Sequence, residues 1–118
     1  MKKILISTDF GAGWSTWNSG PESKYMLTYQ PIIDFIEAGN SFTYEDCHGK
    51  DIGSGPSHPL LIALQKECKE KFGNDGVCVI GADDLKVVKV SGLFRIKEYD
   101  GSESIEYAND VGWQSGDE

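Results

Sequence analysis

The chain has 118 residues, a length that suits a single domain with one core. It carries 19 acidic against 11 basic side chains, a net charge of −8, and its one arginine, Arg95, lies in no basic stripe. Phosphate-neutralising DNA and RNA binding is therefore excluded as an expectation, as is membrane spanning, since no apolar run approaches the roughly 20 residues that a bilayer requires.

Lys3 to Ser7 is apolar and β-branched and predicts a buried strand. Met1-Lys2-Lys3 followed by so short an apolar run does not make a secretory leader. The three cysteines, Cys47, Cys68 and Cys78, are an odd number. Together these features predict reduced thiols, no structural disulfide and a cytoplasmic location.

The strand runs into Asp9 to Asn18, which has no hydrophobic period and predicts a loop. Gly11 and Gly13 allow close backbone approach to a ligand, and Phe10, Trp14 and Trp17 offer flat surfaces. Asp9, Ser15, Thr16 and Asn18 offer hydrogen bonds. The loop admits two readings: a ligand site, or two tryptophans that close the end of a small core. The glycine spacing matches neither the dinucleotide fingerprint nor the phosphate loop with its lysine.

Pro31 to Ala38 predicts a helix with Ile32, Ile33, Phe35 and Ile36 on one face, stopped by Gly39. Ser41 to Glu45 alternates like a strand, and Cys47 to Pro56 reads as a loop. Residues 59–72 predict the most strongly marked helix. Pro59 opens it, Leu60, Leu64, Cys68 and Phe72 recur every four residues, and a glycine-containing turn follows. Val77 to Ile80 predicts a buried strand, Gly81 to Asp84 a turn, and Leu85 to Val90 and Phe94 to Tyr99 two more strands. Asp100-Gly101 is a two-residue hairpin signal, with Ser104 to Tyr107 returning. The expectation is an α/β or α+β domain over 1–108, a mixed sheet with two helices and a C-terminal β-hairpin, and a polar tail over 109–118.

Within the hairpin, Phe94, Ile96 and Glu98 share one face, so Glu98 continues an apolar stripe and needs a partner or a ligand. Arg95 and Asp100 complete the candidate set there, whose plainer reading is a solvated turn. The three acids of the segment 98–103 match no calcium loop. Asp46-Cys47-His48 with His58 contains zinc-ligand types, but adjacent side chains rarely meet one metal. No nucleophile elbow or metalloprotease helix is present. The sequence thus predicts a binding protein rather than an enzyme, with no metal and no cofactor.

The opening strand with Asp9-Phe10-Gly11-Ala12-Gly13, and the blocks His58-Pro59-Leu60-Leu61, Asp83-Asp84 and Phe94 to Glu103, are similar to a widespread group of small bacteriophage and prophage proteins. In that group a first strand meets an aromatic–glycine–glycine loop, and a C-terminal hairpin carries glutamate–tyrosine–aspartate–glycine. This chain departs from the pattern at Ala12 and in its added tryptophans. The resemblance implies a protein of the host bacterial cytoplasm that opposes defence systems. One mode is that of the sponges that sequester nucleotide signals of Thoeris or CBASS. The other is that of anti-CRISPR inhibitors, which cover a host defence protein. A phage accessory protein is a third class. For the sponge mode, the candidate ligand-binding residues are Asp9, Phe10, Gly11, Gly13, Trp14, Trp17, Asn18, Arg95, Glu98 and Asp100, and homo-oligomers are expected.

Overall fold

The structure, a computed structural model, describes residues 2–8, 13–18, 20–49, 55–74, 77–92 and 94–107. In chain order the elements are β1 (Lys2–Ser7), α1 (Glu22–Leu27), α2 (Gln30–Glu37), α3 (Tyr44–His48), α4 (Pro59–Phe72), β2 (Leu85–Val90), β3 (Phe94–Tyr99) and β4 (Ser102–Tyr107), with 3-10 turns at Ser15–Trp17 and Ile80–Asp84. The domain is α+β and ends its described part in the expected hairpin. The expected tail over 109–118 lies outside the described residues.

The strands form two antiparallel two-stranded ladders, β1 with β2 and β3 with β4, rather than one mixed sheet. In the first ladder Ile4 pairs with Val88 and Leu5 with Val87. Alternation places Ile4, Ile6, Val88 and Val90 on one face and Leu5, Leu85 and Val87 on the other. The Leu5 face packs with Met26, Ile32, Ile33, Leu61, Leu64 and Cys68 of the helices. The opposite face packs with Phe94, Ile96, Ile105 and Tyr107 of the hairpin. The architecture is three layers, helices over ladder over hairpin, and β1 is buried on both sides.

Helix α4 occupies the predicted residues. His58 Nδ1 accepts from the Leu60 amide at the N-terminus, Pro59 fills the first turn, and Gly73 stops the helix at φ 74°. Helix α2 starts one residue before the expected proline and ends at Glu37. Among the described residues four helices form rather than the expected two, α3 taking in Cys47 and His48 of the expected loop, and two expected strands do not form. Ser41 to Glu45 is not a strand, because Thr43 and Asp46 form a reciprocal capping box that starts α3. Val77 to Ile80 is not a strand either. Val77 and Val79 are buried against the helical core, but no neighbouring strand pairs with them among the described residues. Cys47, Cys68 and Cys78 are free thiols. Burial pushes Cys47 up to about 12 and Cys68 up to about 11, so both sit as small apolar side chains.

Candidate functional site

The turn after β1 and the hairpin are joined by one carboxylate. Glu103, on β4, is 2% exposed. Its Oε1 accepts from the Ser7 amide at 2.8 Å. Its Oε2 accepts from the Trp14 amide at 2.8 Å, the Thr16 amide at 3.1 Å and the Thr16 hydroxyl at 2.5 Å. A buried carboxylate is tolerable only when its lone pairs are met in this way. At the same end, Ser102 Oγ donates to the Thr8 carbonyl at 3.0 Å.

This clasp reassigns several candidates. The Trp14 amide faces Glu103 instead of an outside phosphate. The Trp14 ring is fully buried and its Nε1 donates to the Met26 carbonyl at 3.0 Å, so it closes the core and offers no face for stacking. Gly13 is demanded by crowding within the fold. A Cβ there would lie 2.6 Å from the Trp17 ring, 2.7 Å from Thr16 Oγ1 and 3.0 Å from Glu103 Oε2. Asn18 is buried and fully engaged: its Nδ2 donates to the Trp14 and Cys78 carbonyls, and its Oδ1 accepts from the Cys78 amide at 2.9 Å. Trp17 alone of the pair is open, at 43% exposure, with its Nε1 donating to Glu98 Oε2 at 3.1 Å. Asp9, Phe10 and Gly11 lie outside the described residues.

On the hairpin, Glu98 is exposed rather than buried in an apolar stripe, and it has two N–H partners. It accepts from the Gly101 amide at 2.7 Å and from Trp17, and these donors hold its carboxyl below the usual range. Asp100 has φ 51° and Gly101 φ 89°, so both central residues of the two-residue turn are left-handed and its geometry is type I′. Asp100 thus serves the turn. Arg95 pairs across the ladder with Glu106, which also lies 3.7 Å from Lys97 Nζ.

Beside the loop, between α1 and β3, lies a groove of about 350 Å³. Its walls include Ser15, Ser23, Lys24, Phe94 and Arg95, with the backbone turn at Thr16 above. Among the described residues two cations and no carboxylate line it, though Arg95 is already paired with Glu106 across the ladder. Its aromatic wall is Phe94, not either tryptophan. Sequence reasoning found Arg95 but missed Lys24 and Phe94. Lys24 falls in α1, a short helix with no strong apolar period, and Phe94 looked like one more strand residue. Among the described residues, no group of three or more His, Cys, Asp or Glu side chains gathers to hold a metal ion. No helix of the described residues is long and apolar enough to cross a membrane. No protein-family model matches the chain, and no curated protein or solved structure matches it.

Proposed function

We propose that the protein binds a nucleotide-derived signal in the groove between α1 and β3 and holds it without turning it over. The observation that carries this reading is that Lys24 and Arg95 both line the groove together with the Phe94 ring, although Arg95 shares its charge with Glu106. A phosphate approaching a chain of net charge −8 is repelled unless it meets cationic side chains, here Lys24 and the guanidinium that Arg95 shares with Glu106. Arg95 presents a planar fork whose orientation its pair with Glu106 helps to fix. Phe94 supplies a surface for a base, and stacking of this kind contributes about 1–3 kcal/mol per base. The hydroxyls of Ser15 and Ser23 suit ribose or phosphate oxygens. The groove's volume falls within the range of roughly 300–1,000 Å³ found for small-ligand sites. Among the described residues its walls contain no carboxylate, imidazole or thiol, the groups that general acid–base and nucleophilic chemistry use most often. With the resemblance to small phage proteins, the biological reading is sequestration of an immune signal.

The test is capture and release. The purified protein is incubated with cyclic oligonucleotides and cyclic ADP-ribose isomers, recovered by filtration and heated, and the released molecule is identified. Intact ligand is expected. Lys24→Ala and Arg95→Ala should each weaken capture about tenfold or more, equivalent to about 1.4 kcal/mol. Released hydrolysis product would show an enzyme. Absence of capture, together with retention of a host defence protein on the immobilised chain, would favour the acidic inhibitor that covers a protein surface.

A further inference from the structure

A second opening shares no lining residue with the groove among the described residues. Helix α3, Gln65 of α4 and the segment 77–80 enclose a cavity of about 560 Å³. The rings of Tyr44 and His48 stack in its wall, with centroids 4.0 Å apart and planes 17° from parallel. Val79 and Ile80 supply aliphatic surface, and Gln65, Cys78, His48 and Tyr44 supply polar groups. Among the described residues, no lysine, arginine, aspartate or glutamate lines it.

Tyr44 is 62% exposed and Ile80 41% exposed, two large apolar side chains left wet at one mouth. The wall is also rigid where it matters. Asn18 grips Cys78 through both the amide and the carbonyl, and Gln65 Nε2 donates to the Val77 carbonyl at 2.9 Å. Two side chains thus fix the backbone of 77–78, which no neighbouring strand pairs with among the described residues.

From this we infer that the cavity is a binding site for a neutral, flat, largely apolar small molecule, chemically distinct from the anion expected in the groove. An anion entering here would give up its hydration with no countercharge from a lysine or arginine among the described residues of the wall. An uncharged aromatic ring loses little on desolvation and gains apolar burial against Val79 and Ile80. It also meets a wall that already holds stacked rings, and offset ring contacts add about 0.5–1.5 kcal/mol beyond burial. The carboxamide of Gln65 gives one polar point for orientation. The inference is independent of the groove's ligand.

Indole is a suitable probe, with indole-3-carboxylate as its charged counterpart. Backbone amide shifts of the whole protein are followed while indole is raised to millimolar concentration. Shifts at Gln65, Cys78 and Ile80, with Lys24 and Arg95 unmoved, are expected. Indole-3-carboxylate should bind at least about tenfold more weakly. Ile80→Arg, at an exposed position, should weaken indole by a similar factor, and Tyr44→Ser serves the same purpose if the arginine variant does not fold. Absence of shifts at the cavity, shifts confined to the groove, equal affinity for the carboxylate, or unchanged affinity in the folded variant would each overturn the inference.

Discussion

Glu103 is the side chain on which the candidate site most depends, and nothing in its local sequence announces it. A glutamate one residue past a tight turn reads as solvated. Its burial arises only when the chain around Trp14 and Thr16, 89 and 87 residues earlier, folds back over β4. Glu98 was legible only in part: its place in line with Phe94 and Ile96 called for a buried partner, whereas it is exposed and accepts from the Trp17 and Gly101 N–H groups at the surface. The two tryptophans show the limit of residue-level reading. Both sit in one loop, yet Trp14 is core and Trp17 is surface, and only the packing of Met26 and the helices separates them. Glu103→Ala would strand the buried Ser7 and Trp14 amides and release the part-buried Thr16 amide and hydroxyl. Its expected cost is about 3 kcal/mol or more, since each buried donor left unmet costs roughly 1–3 kcal/mol before relaxation. Glu103→Gln keeps one carbonyl acceptor but turns an NH2 toward the same donors, and should fall between the two. Urea unfolding of the three proteins checks the order.

At the level of elements, capping and turn chemistry were legible while the identity of short apolar stretches was not. Pro59, the four-residue recurrence and Gly73 delimit α4 from sequence alone, and Asp100-Gly101 delimits the hairpin. Ser41 to Glu45 misleads because strand-like alternation and the Thr43–Asp46 capping box compete, and the box satisfies backbone groups locally without needing a partner strand. The helices are tied together by a cluster that no pattern predicts. Tyr25 donates to Glu67 Oε1 and Tyr29 to Glu67 Oε2 at 2.5 Å, which joins α1 and the turn before α2 to α4. Burial, then the carboxylate, pushes Tyr25 up to about 12 and Tyr29 upward too, while the Tyr25 and Tyr29 hydroxyls hold Glu67 below its usual range. A raised tyrosine favours the folded state fully below about pH 10, where the unfolded phenol ionises. That contribution is lost as the pH rises through the folded value near 12. The depressed Glu67 acts oppositely. It contributes above about pH 4.3, the unfolded value, and is lost as the pH falls through its lowered folded value. Tyr25→Phe with Tyr29→Phe should therefore flatten both limbs of the stability curve, which urea midpoints measured across pH will show.

For the molecule as a whole, fold class and hairpin could be read in advance, whereas layering could not. Strand order depends on which apolar faces meet, and β1 has two such faces of similar character. The β1–β2 ladder is covered on one side by helices and on the other by the hairpin, so the hairpin should separate as a unit. Ile105→Asp places a charge between the two ladders and should release it. Amide hydrogen exchange should then lose protection at Ser7, Trp14 and Thr16 while α4 stays protected; uniform loss would show one indivisible unit. The separation of β1 from its partners also matters while the chain is being made. At about 5–20 residues per second, β1 waits on the order of 4–16 s for β2 to be synthesised, and longer for the hairpin. During that interval Ile4-Leu5-Ile6 is a short β-prone segment with two bare faces and two bare edges, the kind that pairs with other nascent chains. Lys2 and Lys3 stand directly before it and remain outside the core in the finished protein. Their charge acts as a gatekeeper against such pairing, a role exercised before there is any fold to stabilise.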